Sequence, residues 1–158
     1  MRSCSDVHNL LTESVVAHEI VQLPATSKSA RRAAELLGVT QAEVVKSLVF
    51  LLDGEATLLL VPGDCLASDD LVRATVGCEE VALAKGPKVL ELTGYRVGAV
   101  PPFALACTLP VVADRRVFEH EVIYCGGGTT TTMVKIRSEY LRALVQPTVG
   151  EIAEVERD

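Results

Sequence analysis

Apolar positions along the chain change period several times, and each change marks a predicted element. Between residues 6 and 16, Val7, Leu10, Leu11 and Val15 recur at helical spacing. His18 to Leu23 alternates polar and apolar, which predicts a strand closed by Pro24. Thr26 and Ser27 are natural N-caps ahead of an Ala30, Ala33, Ala34, Leu37 stripe that stops at Gly38. Thr40-Gln41-Ala42-Glu43 has the form of a capping box and predicts a short helix ending near Lys46. The apolar runs Ser47–Leu52 and Glu55–Val61 flank Asp53-Gly54, a strong hairpin signal. Leu58 to Val61 is unbroken, so the second of these strands is expected to be covered on both faces.

Further on, Ser68-Asp69-Asp70 predicts a helix through Ala74, with its acids where the helix dipole favours them. Glu79–Leu83 reads as a strand and Pro87–Leu92 as a short helix. Residues 93–102 combine Gly94, Gly98, Pro101 and Pro102, which predicts a shaped loop. Pro110–Ala113 and Glu121–Cys125 are strand-like. Gly126-Gly127-Gly128 breaks the chain before a β-branched strand at Thr129–Ile136, and Ser138 caps a helix over Glu139–Val145. A last T-x-x-E pattern, Thr148 to Glu151, predicts a C-terminal helical turn. Helices alternate with hairpins and no βαβ repeat is visible. The expected fold is α/β of the α+β type: a curved, mixed, mostly antiparallel sheet surrounded by short helices, in one domain over residues 1–158.

Composition narrows the function classes. With 158 residues and 49% hydrophobic content the chain can bury a real core. A formal charge of −6 excludes a dominating nucleic-acid surface but leaves room for a local basic patch. The five cysteines include no C-x-x-C, so neither a disulfide framework nor a zinc site is expected, and a reducing cytoplasm suits them. No stretch reads as a signal peptide or a membrane span, and no membrane partner is expected.

The candidate chemistry centres on Lys46, the charged residue among Val44, Val45, Leu48, Val49 and Phe50. An ammonium in such surroundings must snorkel, pair with an acid or meet an anionic ligand. Asp114 could orient Lys46 or a substrate group, or simply cap Arg115-Arg116. Gly126-Gly127-Gly128 is either a tight turn or a backbone nest for an anion. Gly98-Ala99-Val100-Pro101 carries the same two readings. Lys28, Arg31 and Arg32 form either a solvated helix face or a contact for a nucleic-acid backbone. His8, His18 and His120 share no metal spacing, and no nucleophile motif is present.

Taken in order, these motifs resemble the YbaK/EbsC family of aminoacyl-tRNA deacylases, freestanding relatives of the editing insertion of bacterial prolyl-tRNA synthetases. The likeness runs from about His18 to Ile152. It is carried by Pro24-Ala25-Thr26, Ala33-Ala34-Glu35-Leu36-Leu37-Gly38, Val44-Val45-Lys46-Ser47-Leu48, Gly98-Ala99-Val100-Pro101, the strand ending in Asp114, and the glycine turn before a strand and a Leu-rich helix. The resemblance implies the fold of that synthetase-associated domain and a trans-editing hydrolase that cleaves the ester of mischarged aminoacyl-tRNA, with small amino acids such as Ala or Cys on tRNA-Pro as substrates. The alternative is a non-catalytic tRNA- or nucleotide-binding module of the same fold. It implies a catalytic set of Lys46, Gly98, Ala99, Val100, Pro101 and Asp114, and a substrate-binding set of Thr26, Ser47, Gly126, Gly127 and Gly128. Lys28, Arg31 and Arg32 become tRNA-backbone contacts. No metal or organic cofactor is implied; the implied partners are the aminoacyl-tRNA acceptor end and a prolyl-tRNA synthetase. Two positions depart from the family pattern: Ser47, where subfamilies differ, and Gly126, where many relatives carry Ser or Ala.

Overall fold

The computed structural model describes residues 1–156; Arg157 and Asp158, the end of the expected domain, lie outside the described residues. Ten strands are formed: β1 (His18–Gln22), β2 (Val44–Leu52), β3 (Glu55–Pro62), β4 (Cys65–Ala67), β5 (Val81–Leu83), β6 (Val111–Asp114), β7 (Val122–Gly126), β8 (Thr132–Arg137), β9 (Thr148–Gly150) and β10 (Ala153–Val155). Five α-helices accompany them: α1 (Cys4–Glu13), α2 (Ala30–Leu37), α3 (Asp69–Val76), α4 (Gly86–Thr93) and α5 (Ser138–Val145). The main sheet runs β1-β8-β7-β2-β3-β6-β9, with β5 also on β2, while β4 and β10 pair separately. β2/β7, β3/β6 and β6/β9 are parallel and the remaining pairs antiparallel, the mixed, mostly antiparallel sheet expected. No helix among the described residues is long and apolar enough to cross a membrane.

The β2–β3 hairpin is the spine, pairing from Val45↔Pro62 to Leu52↔Glu55. Its turn has positive φ at both Asp53 (49°) and Gly54 (82°), as a two-residue hairpin requires. The Asp53 carboxylate also accepts from the N–H groups of Glu79 and Glu80, which delivers the chain into β5. β3 is covered on both faces. Leu58 and Leu60 enter one core cluster, Leu59 and Val61 another, and all four are fully buried.

Several boundaries differ from the sequence expectation; Ser138, for one, is the first residue of α5 and not its cap, and four other differences have a visible cause. The α2 cap is Ser29, whose hydroxyl accepts from Arg32 N–H; Thr26 and Ser27 remain in the preceding loop because Ser27 N–H donates to Thr130 O at 2.7 Å. The capping box at Thr40 closes only a 3₁₀ turn over Gln41–Glu43, so Lys46 stands within β2 rather than at a helix end. β8 starts at Thr132, since Thr129–Thr131 form a turn tied by the Thr129–Thr132 hydroxyl contact at 2.7 Å. The expected C-terminal helical turn is instead β9 and β10.

Asp114 explains that last difference. It is fully buried, and its Oδ2 accepts from the N–H groups of both Ile152 and Ala153 at 3.0 Å. Its Oδ1 accepts from Arg116 N–H at 3.0 Å. Arg116 Nε stands 3.3 Å from the same oxygen, an ion-pair contact without hydrogen-bond geometry. Backbone donors that a helix would have turned inward are thus held extended by a carboxylate. Asp114→Ala is expected to lower stability by about 3–5 kcal/mol, because it strands two buried N–H groups and a guanidinium. Urea unfolding measures this, and a loss below about 1 kcal/mol would contradict the latch.

Candidate functional site

One edge of β2 serves two strands. Val44 and Val45 pair with Tyr124 and Cys125 of β7, while Phe50 to Leu52 pair with Leu83 to Val81 of β5. β7 and β5 therefore part over Lys46–Leu48, since Ala84 N–H still donates to Val49 O, and a cavity of about 210 Å³ opens in the fork. Its floor is Val44 to Leu48. Leu83, Ala84 and Val89 wall it on the β5 side, Gly126, Thr129, Thr130 and Met133 on the β7–β8 side. Ser27 to Ala30 with Ala33, and Val97, Gly98 and Val100, close the rest. The volume is below the usual ~300–1,000 Å³ of small-molecule sites, so the cavity admits a fragment such as one small side chain and its ester.

Three backbone segments converge because glycines let them touch. A Cβ at Gly126 would lie 2.5 Å from Val100 O and 3.3 Å from Ala99 O. Gly128 N–H donates to Ala99 O at 3.1 Å, and Gly127 N–H to Thr132 O at 3.1 Å. Gly98, at φ +89°, rests against Lys28, whose carbonyl would be 3.4 Å from an added Cβ. Within the 98–101 loop, Ala99 N–H donates to Arg96 O. The N–H groups of Gly98 and Val100 find no protein acceptor among the described residues.

Two floor residues are polar, and as neighbours on β2 their side chains leave it on opposite faces. Lys46 is half-buried and its ammonium donates to the Cys65 carbonyl of β4. Burial pulls its pKa below the ordinary lysine value, and nearby Glu156, Cys65 and Asp64 oppose that pull. Ser47 Oγ is buried and has no hydrogen-bond partner. A buried hydroxyl left without a protein partner calls for a polar atom from outside the protein. The nearest thiol offers no nucleophile at neutral pH, because burial and the adjacent Asp64 push Cys65 up to about 11. No group of three or more His, Cys, Asp or Glu side chains among the described residues could hold a metal ion.

The residues expected at the site therefore divide. Lys46, Ser47, Gly98, Val100, Gly126 and Lys28 meet at the cavity. Ala99, Pro101, Gly127 and Gly128 stand behind it as buttresses, and Thr26 leaves its place to Ser27. Arg31 and Arg32 face Glu35 at 3.8 and 3.2 Å, away from the lining. Asp114 neither reaches Lys46 nor lines the cavity, since both its oxygens are committed to Arg116, Ile152 and Ala153. Val44, Leu48, Leu83, Ala84, Thr129, Thr130 and Met133 also line the cavity, beyond the residues the sequence points to. Only the threonine run beside the glycines carried a signal.

The aminoacyl-tRNA editing domain family matches residues 24–144. The chain belongs to that family. Among its relatives is a proline–tRNA ligase of Citrifermentans bemidjiense, 37% identical over 87 residues; the match takes in 55% of this chain but only 15% of the ligase. The chain thus corresponds to a small part of such ligases. YwhH of Bacillus subtilis, an uncharacterised protein, is 26% identical over 140 residues, 88% of each chain. A crystal structure of a candidate trans-editing enzyme for prolyl tRNA synthetase superposes with a TM-score of 0.89 at 30% identity, covering 98% of both chains. At Gly126 of this editing domain the Val100 carbonyl occupies the space that a Cβ would need. Gly126→Ala is expected to push the 98–101 loop outward and cost about 1–3 kcal/mol. Thermal unfolding and a crystal structure of the variant check this; an unmoved loop at unchanged stability would refute the contact.

Proposed function

We propose that this editing domain is a trans-editing deacylase, which hydrolyses the ester of a small, wrongly attached amino acid such as Ala or Cys on tRNA-Pro. One observation carries the reading: Lys46 and Ser47, whose buried hydroxyl has no partner, both line a small cavity that Gly98 and Val100, with uncommitted backbone N–H groups, help to close. Lys46 supplies a cation for a phosphate or ribose oxygen of the acceptor end. Ser47 Oγ supplies a hydrogen bond to the aminoacyl group. Gly98 and Val100 N–H groups are suited to the carbonyl oxygen as negative charge develops on it. Water adds to the ester carbonyl and gives up a proton, which the substrate's own ribose hydroxyl or amino group relays to the departing ribose oxygen as its bond to the carbonyl carbon breaks. An aminoacyl ester is already activated, so positioning and charge stabilisation suffice. A cavity this small also acts as a sieve, which matters because one methylene separates amino acids by only about 1–3 kcal/mol. The expected single domain and a handover from prolyl-tRNA synthetase belong to the same proposal.

A panel of correctly and incorrectly charged tRNAs tests the reading. Ala- or Cys-charged tRNA-Pro should lose its amino acid, and Lys46→Ala should slow the loss by about 10²-fold. Full activity in that variant would remove Lys46 from the site. Salt-sensitive tRNA binding with no deacylation across the panel would favour the non-catalytic binding module.

The lysine also predicts a pH dependence. Its charged form holds the anion, and burial lowers its pKa, so tRNA affinity should be complete below that pKa and fall as pH rises through it. The alkaline limb should therefore lie below the ~10.4 of a free lysine. Lys46→Arg should abolish it; a limb unchanged in Lys46→Arg would assign it to another group.

A further inference from the structure

We propose that the C-terminal strand β10 is a positioning device for Lys46: latched by Asp114, it fixes through β4 the carbonyl that holds the ammonium and sets Glu156 and Asp64 around it. The inference rests on the reading of Lys46 as the residue that grips substrate.

The connection is continuous and each link is a hydrogen bond. Asp114 Oδ2 accepts from Ile152 and Ala153 at the start of β10. Arg116 Nη2 donates to Ala153 O at 2.6 Å from the same side. β10 then pairs antiparallel with β4 in the register Ala153↔Ala67, Glu154↔Leu66, Val155↔Cys65. Glu156 N–H donates to Asp64 O at 2.8 Å, which closes the pairing one residue beyond the strands. Cys65, now held from both sides, presents its carbonyl to Lys46.

β4 is three residues long, and in the described structure β10 is its only strand partner. Without β10, nothing in the sheet pairing would fix the Cys65 carbonyl. The lysine would be free to swing into the cavity or out toward water.

The same arrangement sets the local charge. Asp64 and Glu156 oppose the effect of burial on Lys46. Cys65, pushed up to about 11, stays a neutral thiol at working pH, so the negative charge on this side comes from the two carboxylates. Lys28 lines the cavity from the loop before α2 and is the other cation among the lining residues. Asp114, which the sequence offers as a partner for Lys46 or a substrate group or as a cap for Arg115-Arg116, makes that cap directly and reaches Lys46 only through two strands. It is a positioning residue.

The test uses the full chain and its five lysines. Reductive ¹³C-methylation followed by NMR titrates each dimethyl-lysine, with the Lys46 resonance assigned by its absence in Lys46→Arg. Glu156 is exposed, so Glu156→Gln should leave folding intact and lower the proton affinity of Lys46 about two- to threefold. Asp114→Asn should shift the Lys46 resonance and titration, and weaken tRNA binding roughly ten- to a hundredfold at neutral pH. If Asp114→Asn lowers only the melting temperature, leaving Lys46 titration and tRNA affinity as in the parent, the latch is merely structural and the proposal falls. An unchanged Lys46 titration in Glu156→Gln overturns the electrostatic half. If the parent protein neither binds nor deacylates tRNA while Lys46 responds as stated, the positioning stands and the editing assignment fails.

Discussion

A strand edge can hydrogen-bond to one neighbour at each position, and β2 has to share its edge between two. β7 takes Val44 and Val45, running parallel; β5 takes Phe50 to Leu52, running antiparallel. Neither strand extends its pairing to the other, and Lys46–Leu48 are left uncovered on that side. The site exists because of this fork. The opposite edge of β2 is paired with β3 along nearly its whole length, so the floor of the cavity is rigid although one side of it is open.

A lysine on such a floor is a compromise between desolvation and reach. Valines and a leucine around Lys46 make the charged form costly, which lowers its pKa. One carbonyl bond and two carboxylates at middle distance offset that cost without neutralising the ammonium. An ammonium has three donors. With Cys65 O taking one, the others remain for an anionic group that enters the cavity. A tight carboxylate partner would have closed this option, and Asp114 is kept from being one by its bonds to Ile152, Ala153 and Arg116.

Close backbone approach does the remaining work. Gly126 allows the Val100 carbonyl to lie where a Cβ would stand, and Gly63 allows the Gln41 carbonyl the same at the far end of β3. These contacts draw the 98–101 loop and the chain before β2 against the sheet. The cavity is small as a result, and small size is the property an editing sieve needs.

The sequence by itself determined the elements whose cause is local. The Asp53-Gly54 hairpin, the unbroken apolar run of β3, the alanine stripe of α2 ending at Gly38 and the sheet class all follow from periodicity and turn chemistry. It also located Lys46, Ser47, Gly98, Val100 and Gly126, because a lone charge in an apolar run and clustered glycines are visible without coordinates. Tertiary structure decided the rest. Thr148–Glu151 has the residues of a capping box, but a buried carboxylate 38 positions away from Ile152 in sequence claims the following N–H groups, and the segment becomes strands. Asp114 could be read as a partner for Lys46 or as a cap for Arg115-Arg116, and the fold makes it the cap and a latch for Ile152 and Ala153, since the direction of a buried side chain depends on which donors the fold brings to it. Arg31 and Arg32, read either as a solvated helix face or as a backbone contact, pair with Glu35 one turn along their own helix, an arrangement only the fold shows. The fork in β2 left no local trace at all, for it is a relation among strands remote in sequence.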